Sequence, residues 1–220
     1  MDDGFILGVD LDGVCGDYTA AFGRVVAVDR GVDPASLGPQ TSWDFGEWGI
    51  DGPEFERLHR LAVLEHRIFA AMPPMPGVAE ALWRLSDAGV WIRIITHRLA
   101  VNWGHAVAVS DTVTWLDRVG IPYRDICFLG HKPQVEADLY VDDAAHNVIA
   151  LRERGNQVVV FDAPHNRGVE GPRARTWSEL ETMVVDAVAR SGHAVQTQLT
   201  GLVTPEERLR SRLDPGGARP

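Results

Sequence analysis

The chain has 220 residues, 45% hydrophobic and 24% charged, and its 21 basic against 31 acidic side chains leave a formal net charge of −10. This composition suits one sizeable α/β core plus an insertion, and the negative balance argues against a nucleic-acid polymer as partner while allowing a small anion held by a local cation or metal. No apolar run reaches the ~18 residues of a membrane span, the acidic start MDDG lacks the flank and apolar stretch of a signal peptide, and Cys15 and Cys127 form no zinc or redox spacing, so the expectation is a cytoplasmic protein with two free thiols.

Phe5 to Val9 form an unbroken apolar run, the pattern of a strand buried on both faces of a parallel sheet. Asp10 and Asp12 follow at once, two positions apart and so on one side of an extended chain, and Gly13 supplies the freedom for a sharp turn. In open α/β sheets ligands bind beyond the carboxyl ends of the strands, which makes this pair a candidate site as well as a candidate turn or helix cap. One carboxylate can attack an electrophile if a hard cation holds it ionised and aimed. A second, free of metal, can carry the proton that a leaving group needs. Cys15, in the same loop, reads as a small packing residue.

Tyr18, Ala21, Phe22, Val25 and Asp29 then follow helical spacing up to Gly31. Residues 32–52 break up into Pro, Gly, Ser and Asp yet carry Trp43, Phe45 and Trp48, rings that either staple a small subdomain or line a pocket for a flat substrate. Pro53 behind Asp51 opens a second helix, with Phe55, Leu58, Leu61 and Ala62 apolar up to about His66. MPPMPG at 72–77 is a stiff connector back to the main domain. Regular alternation follows: helix 78–88, strand 90–96, helix 105–119 closed by Gly120, strands 126–130 and 139–142, helix 145–154, strand 157–161, and a helix from Trp177 to about Arg190. Such alternation predicts a parallel sheet with helices on its faces. Residues 191–203 lack periodicity; Thr204, Pro205 and Glu207 make a helix-start signature before the loose terminus PGGARP.

The later strands end in residues that suit a phosphate. Thr96 closes WIRIIT with a hydroxyl, Lys132 stands just beyond FLGH with an ammonium, and LYV runs into the adjacent acids Asp142 and Asp143. Repulsion between those two acids is tolerable if a divalent cation or Lys132 neutralises one.

These four stations, in this order, resemble the motifs of the haloacid dehalogenase superfamily, whose phosphatases use an aspartate nucleophile on a Rossmann-like α/β sheet. Within it the chain is most similar to the cytosolic-type 5'(3')-deoxyribonucleotidases and their bacterial relatives, through DLDGVCGDY and the spacing from Lys132 to Asp142, over roughly residues 5 to 190. The resemblance implies a catalytic core of residues 1–16 and 77–190, a small helical cap at 17–76 inserted after the first strand, and a peripheral extension at 191–220. It implies that Asp10 is the nucleophile and Asp12 the acid/base, with Thr96 and Lys132 completing the catalytic set. It also implies Mg2+ bound by Asp10, the Asp12 main-chain oxygen and Asp142 or Asp143, with Asp143 favoured. The reaction implied is hydrolysis of a phosphomonoester through an aspartyl-phosphate. A nucleoside monophosphate is the favoured substrate, its flat part gripped by Tyr18, Trp43 and Phe45; a homodimer is compatible with the reading. Other small-metabolite phosphatases, such as one for a sugar phosphate, and a binding protein without catalysis are the rival readings. One departure stands out: vertebrate members carry Thr-Ser-Pro at the second motif, whereas this chain has Thr96-His97-Arg98. His97 and Arg98 are therefore candidate substrate contacts, Arg98 either holding a second anionic group or tying down the cap.

Overall fold

The computed structural model describes residues 4–193 and Glu207. The expected helix start at Thr204 and Pro205 and the terminal PGGARP lie outside the described residues. Six strands, β1 (Ile6–Val9), β2 (Trp91–Thr96), β3 (Asp125–Phe128), β4 (Leu139–Asp142), β5 (Val158–Phe161) and β6 (Arg173–Ala174), make one sheet. Their order is β3-β2-β1-β4-β5-β6 and every pairing is parallel. The first strand is therefore central, and the chain lays β2 and β3 on one side of it before crossing to the other. That reversal, between β1 and β4, is the switch point where a crevice opens at the carboxyl edge. Val9 is in register with Ile94 and Val141, so the residues just past these positions, Asp10, Thr96 and Asp142, come to one edge.

The helices are α1 (Tyr18–Arg30), α2 (Gly52–Leu64), α3 (Ile68–Ala71), α4 (Val78–Asp87), α5 (His105–Val119), α6 (Ala145–Glu153) and α7 (Trp177–Ser191). Local chemistry sets their ends. Asp17, Asp51 and Thr176 accept from the backbone N–H of Ala20, Glu54 and Glu179, caps worth about 1 kcal/mol each. Gly31 and Gly120 close α1 and α5 in the left-handed region. Among the described residues no helix is long and apolar enough to cross a membrane.

Alternate strand residues feed two cores, because side chains of a strand point to opposite faces. Leu139, Val141, Val159 and Phe161 join the larger cluster with Leu82 of α4 and Leu180 of α7. Tyr140, Val158, Val160 and Ile95 form a smaller one with Val148 and Leu151 of α6. The sheet is thus covered on both faces, as a parallel sheet requires. Two fully buried tryptophans fasten the site loops to this core: Trp177 Nε1 donates to Val14 O (2.9 Å) and Trp115 Nε1 to Met72 O (2.7 Å).

Several details differ from the sequence reading. The second helix stops at Leu64, Arg67 takes a left-handed conformation (φ 52°), and the short α3 follows. That turn is held from a distance, by an ion pair from Arg67 to Asp111 of α5, which no local pattern displays. The two-residue β6 is too short to leave a period. In the turn-rich segment, Phe45 and Trp48 are buried with Phe22 and Phe55, ring centres 4.9–6.1 Å from Phe45, so they staple this part of the fold. Trp43 stays 52% exposed.

Candidate active site

Lys132 organises the charged floor. It opens a short 3-10 turn just after β3, is buried, and donates from Nζ to Asp10 Oδ1 (2.7 Å) and Asp142 Oδ2 (2.6 Å). Burial alone would lower its pKa, but Asp10 and Asp142 outweigh it and hold the ammonium above its usual value. Asp142 is fully engaged: its other oxygen accepts from Ala144 N (2.9 Å) and Asn147 Nδ2 (3.2 Å). Asp143 is not. Its Oδ1 is buried without a hydrogen-bond partner, and His165 Nε2 stands 3.2 Å from Oδ2 without the alignment of a hydrogen bond. Gly13 makes room for this carboxylate, since with φ 80° a Cβ there would lie 2.0 Å from Asp143 Oδ2.

Asp10, Asp142 and Asp143 each offer an oxygen within 4.8 Å of the others, all buried. Burial raises Asp10 well above the ordinary carboxylate range, Lys132 opposing while Asp142, Asp143 and Asp12 add to the rise. Burial pushes Asp143 up too, against His165 and with Asp142. Among the described residues four carboxyl groups (Asp10, Asp12, Asp142, Asp143) stand against the two fixed cations Lys132 and Arg98, with His165 beside Asp143, a formal excess that one divalent cation would offset. Oxygen donors, an orphaned carboxylate oxygen and uncompensated charge suit a hard divalent metal; the residues fit such an ion.

Above this floor lies a cavity of about 230 Å³ lined by Asp10, Asp12, Lys132 and Asp143 on one side and by aromatic rings on the other. Tyr18, Phe45, Phe55, His59 and Phe69 make the apolar wall. Trp43, although half-exposed, sets its ring edge-on to His146 (5.2 Å) and His165 (5.4 Å). Thr96 Oγ1 is fully buried and has no partner, as is His97 Nε2. Arg98 points neither to open solvent nor to a vacant anion site: it forks onto both oxygens of Asp12 (2.7 and 3.0 Å).

His97 yields a prediction. Burial, then the Lys132 charge, hold its imidazole at about 4 from the usual 6.5. The unfolded chain therefore takes up the proton first, and the stability tied to neutral His97, whole above pH 6.5, drains away as pH falls towards 4. His97→Gln has no such proton to bind. Urea midpoints measured in chelator should move in the variant's favour between pH 6.5 and pH 4; a constant gap would show that the ring is not held neutral.

The sequence matches the family described as "5' nucleotidase, deoxy (Pyrimidine), cytosolic type C protein" over residues 4–191. The chain belongs to this nucleotidase family. A Chlorobaculum tepidum protein, provisionally named a 5'(3')-deoxyribonucleotidase, is 43% identical over 182 residues, 81% of this chain and 89% of that one. The Bacillus subtilis 5'(3')-deoxyribonucleotidase is 30% identical over 80 residues, 35% of this chain and 45% of its own. Among solved structures, a haloacid dehalogenase-like family hydrolase from Streptococcus pneumoniae shares the fold, with a TM-score of 0.56 at 12% identity over 84% of this chain and 100% of that one.

In this family member the structure gathers Asp10, Asp12, Tyr18, Trp43, Phe45, His97, Arg98, Lys132 and Asp143 around one cavity; Asp142 is outside its lining but bonded to Lys132, and Thr96 is fully buried, next in the chain to the lining His97. It adds residues that sequence reasoning missed. Asn147, one turn into α6, supports Asp142. His59 bonds the Tyr18 hydroxyl through Nδ1 (2.8 Å) and stacks on Phe55 (5.5 Å), and Gln40 bonds Thr19. The spacing of Phe55 and His59, one helical turn apart, was the available signal for His59; Gln40 lies in a loop and His165 in the three-residue 3-10 turn Pro164–Asn166, segments too short or irregular to carry one.

Proposed function

We propose that this protein is a magnesium-dependent phosphomonoesterase, a 5'-nucleotidase for (deoxy)nucleoside monophosphates that works through an aspartyl-phosphate on Asp10. One observation carries the reading: every buried side-chain polar atom without a partner among the described residues belongs to Thr96, His97, Asp143 or His165, all at this site. Such atoms are costly unless a ligand or ion satisfies them. The choice of a nucleotide is supported by the family and its relatives' names and by an aromatic wall suited to a flat ring. The family's cytosolic-type description supports a cytoplasmic setting. In this reading residues 17–76 are the cap over a core of 1–16 and 77–190.

Lys132 holds Asp10 by Oδ1, which leaves Oδ2 to attack phosphorus. The bond from phosphorus to the ester oxygen breaks, and Asp12 gives its proton to the departing alcohol. Asp12 then takes a proton from water, whose oxygen attacks the same phosphorus and breaks the bond to Asp10, releasing inorganic phosphate. Lys132 and Thr96 hold the phosphoryl oxygens, which suits one buried ammonium and one unpartnered hydroxyl. When bound by Asp10, Asp143 and the Asp12 main-chain oxygen, Mg2+ would offset the charge of those oxygens.

Phosphate release from 5'- and 3'-nucleotides and from sugar phosphates, with and without Mg2+, tests this. Nucleoside monophosphates should lead in kcat/KM by at least about tenfold, the worth of one well-placed aromatic contact. A sugar phosphate ahead of every nucleotide would overturn the substrate, and no turnover of any ester would favour a binding protein.

A further inference from the structure

Arg98 is the only arginine buried among the described residues, and the way its charge is satisfied is specific. Nε and Nη2 donate to Asp12 Oδ2 (3.0 Å) and Oδ1 (2.7 Å). Nη1 donates to Thr112 Oγ1 of α5 (2.9 Å), whose own proton goes to Ala108 O (2.6 Å). The guanidinium face lies on Phe69 of α3, 4.1 Å from the ring centre. Within the described chain the Asp12 carboxylate bonds to no other group, and its side chain is 29% exposed at the cavity. A planar fork on both oxygens fixes the tilt and swing of a carboxylate as one hydrogen bond does not.

Resting on the phosphatase reading above, we infer that Arg98 is a positioning residue for Asp12: it aims the proton-transfer carboxylate and links it, through Phe69, to the seating of α3 over the cavity. It is not an anchor for a second substrate anion, because the donors it turns to the cavity side are spent on Asp12. Arg98 acts on the step that Asp12 performs. A sugar alkoxide needs a proton to leave; 4-nitrophenolate leaves without one. Arg98 should therefore matter for the first ester and little for the second.

The experiment compares kcat/KM for a nucleoside 5'-monophosphate and for 4-nitrophenyl phosphate in the parent, Arg98→Met, Asp12→Ala and the double variant. Since general acid–base catalysis contributes on the order of 10²–10⁴-fold, Arg98→Met should lose about 10²-fold or more on the nucleotide and less than about tenfold on the aryl ester. Added to Asp12→Ala, it should cost the nucleotide reaction less than about threefold further, as expected when both changes remove one function. Equal losses on the two esters, or full additivity with Asp12→Ala, would overturn the inference and leave Arg98 a cap prop. If Arg98→Met does not fold, Arg98→Lys carries the same comparison, because it keeps the charge and loses the fork. A parent protein inactive on both esters overturns the phosphatase reading itself, an outcome distinct from either of these.

Discussion

Asp10→Asn should abolish phosphate release, by on the order of 10⁴-fold or more, while leaving the metal-free fold no less stable than the parent. The catalytic half follows from chemistry: an amide oxygen is too weak a nucleophile to displace an alkoxide from phosphorus and a poorer ligand for a hard cation. The stability half follows from the site. Asp10 is buried among Asp142, Asp143 and Asp12, and burial raises its pKa well above the ordinary value although Lys132 opposes this. A carboxyl whose folded pKa is raised favours the fold at low pH and loses that contribution as pH rises through the unfolded and then the folded value. Asp10 therefore contributes less to the stability of the metal-free protein as pH rises, and an isosteric amide that does not titrate is free of that loss. Lys132 is not stranded, because Asp142 still holds it at 2.6 Å. Phosphate release and urea midpoints in chelator, measured on one preparation, test both halves. Turnover retained by clean Asp10→Asn would end the role of Asp10 as nucleophile; a lower midpoint at neutral pH would mean that the Lys132 pair outweighs the crowding of acids.

Stripping divalent metal should remove activity by about 10²-fold or more, and Mg2+ should restore it, since a cation acting on phosphoryl oxygens contributes several kcal/mol. A readout independent of turnover comes from linkage. A ligand that binds only the folded state at about a hundred times its Kd adds ~2.7 kcal/mol, so Mg2+ should raise the melting temperature of the stripped protein by several degrees. Asp143→Asn should erase that rise, because Asp143 Oδ1 is the buried carboxylate oxygen left without a partner. Asp142→Asn should act differently. Its oxygens already serve Lys132, Ala144 N and Asn147, so its loss should destabilise the floor whether or not metal is present. Full activity in chelator, or a melting shift that survives Asp143→Asn, would refute this assignment of the metal site.

Much of this site is legible in the chain because its signals are local. An apolar run that ends in Asp10 and Asp12, another that ends in Thr96, and a third that ends in Asp142 and Asp143 each declare a strand and its polar end. Parallel strands bring all such ends to one edge, so the alternation of strands and helices implies that these residues meet. The helix signals are equally local: Asp17, Asp51 and Thr176 cap the helices they precede, and Gly31 and Gly120 end theirs.

Who touches whom is a matter of register and packing over long separations, and that only the tertiary structure decided. The sheet order sets β1 between β2 and β4, and from it come the reach of Lys132 to both Asp10 and Asp142 and the engagement that leaves Asp143 the free oxygen. Adjacent acids look alike in a sequence, yet successive side chains leave the backbone in different directions, and only the neighbours that fold against them assign their work. Arg98 shows the same limit. Its two sequence readings were an anion anchor and a tie for the cap; its partner, Asp12, lies 86 positions away and became visible once β1 and β2 paired. The aromatic run at 43–48 divides in the same way, Phe45 and Trp48 sinking into a cluster with Phe22 and Phe55 while Trp43 reaches His146 and His165. Burial of a ring depends on what arrives to cover it, and periodicity within one segment carries no record of that.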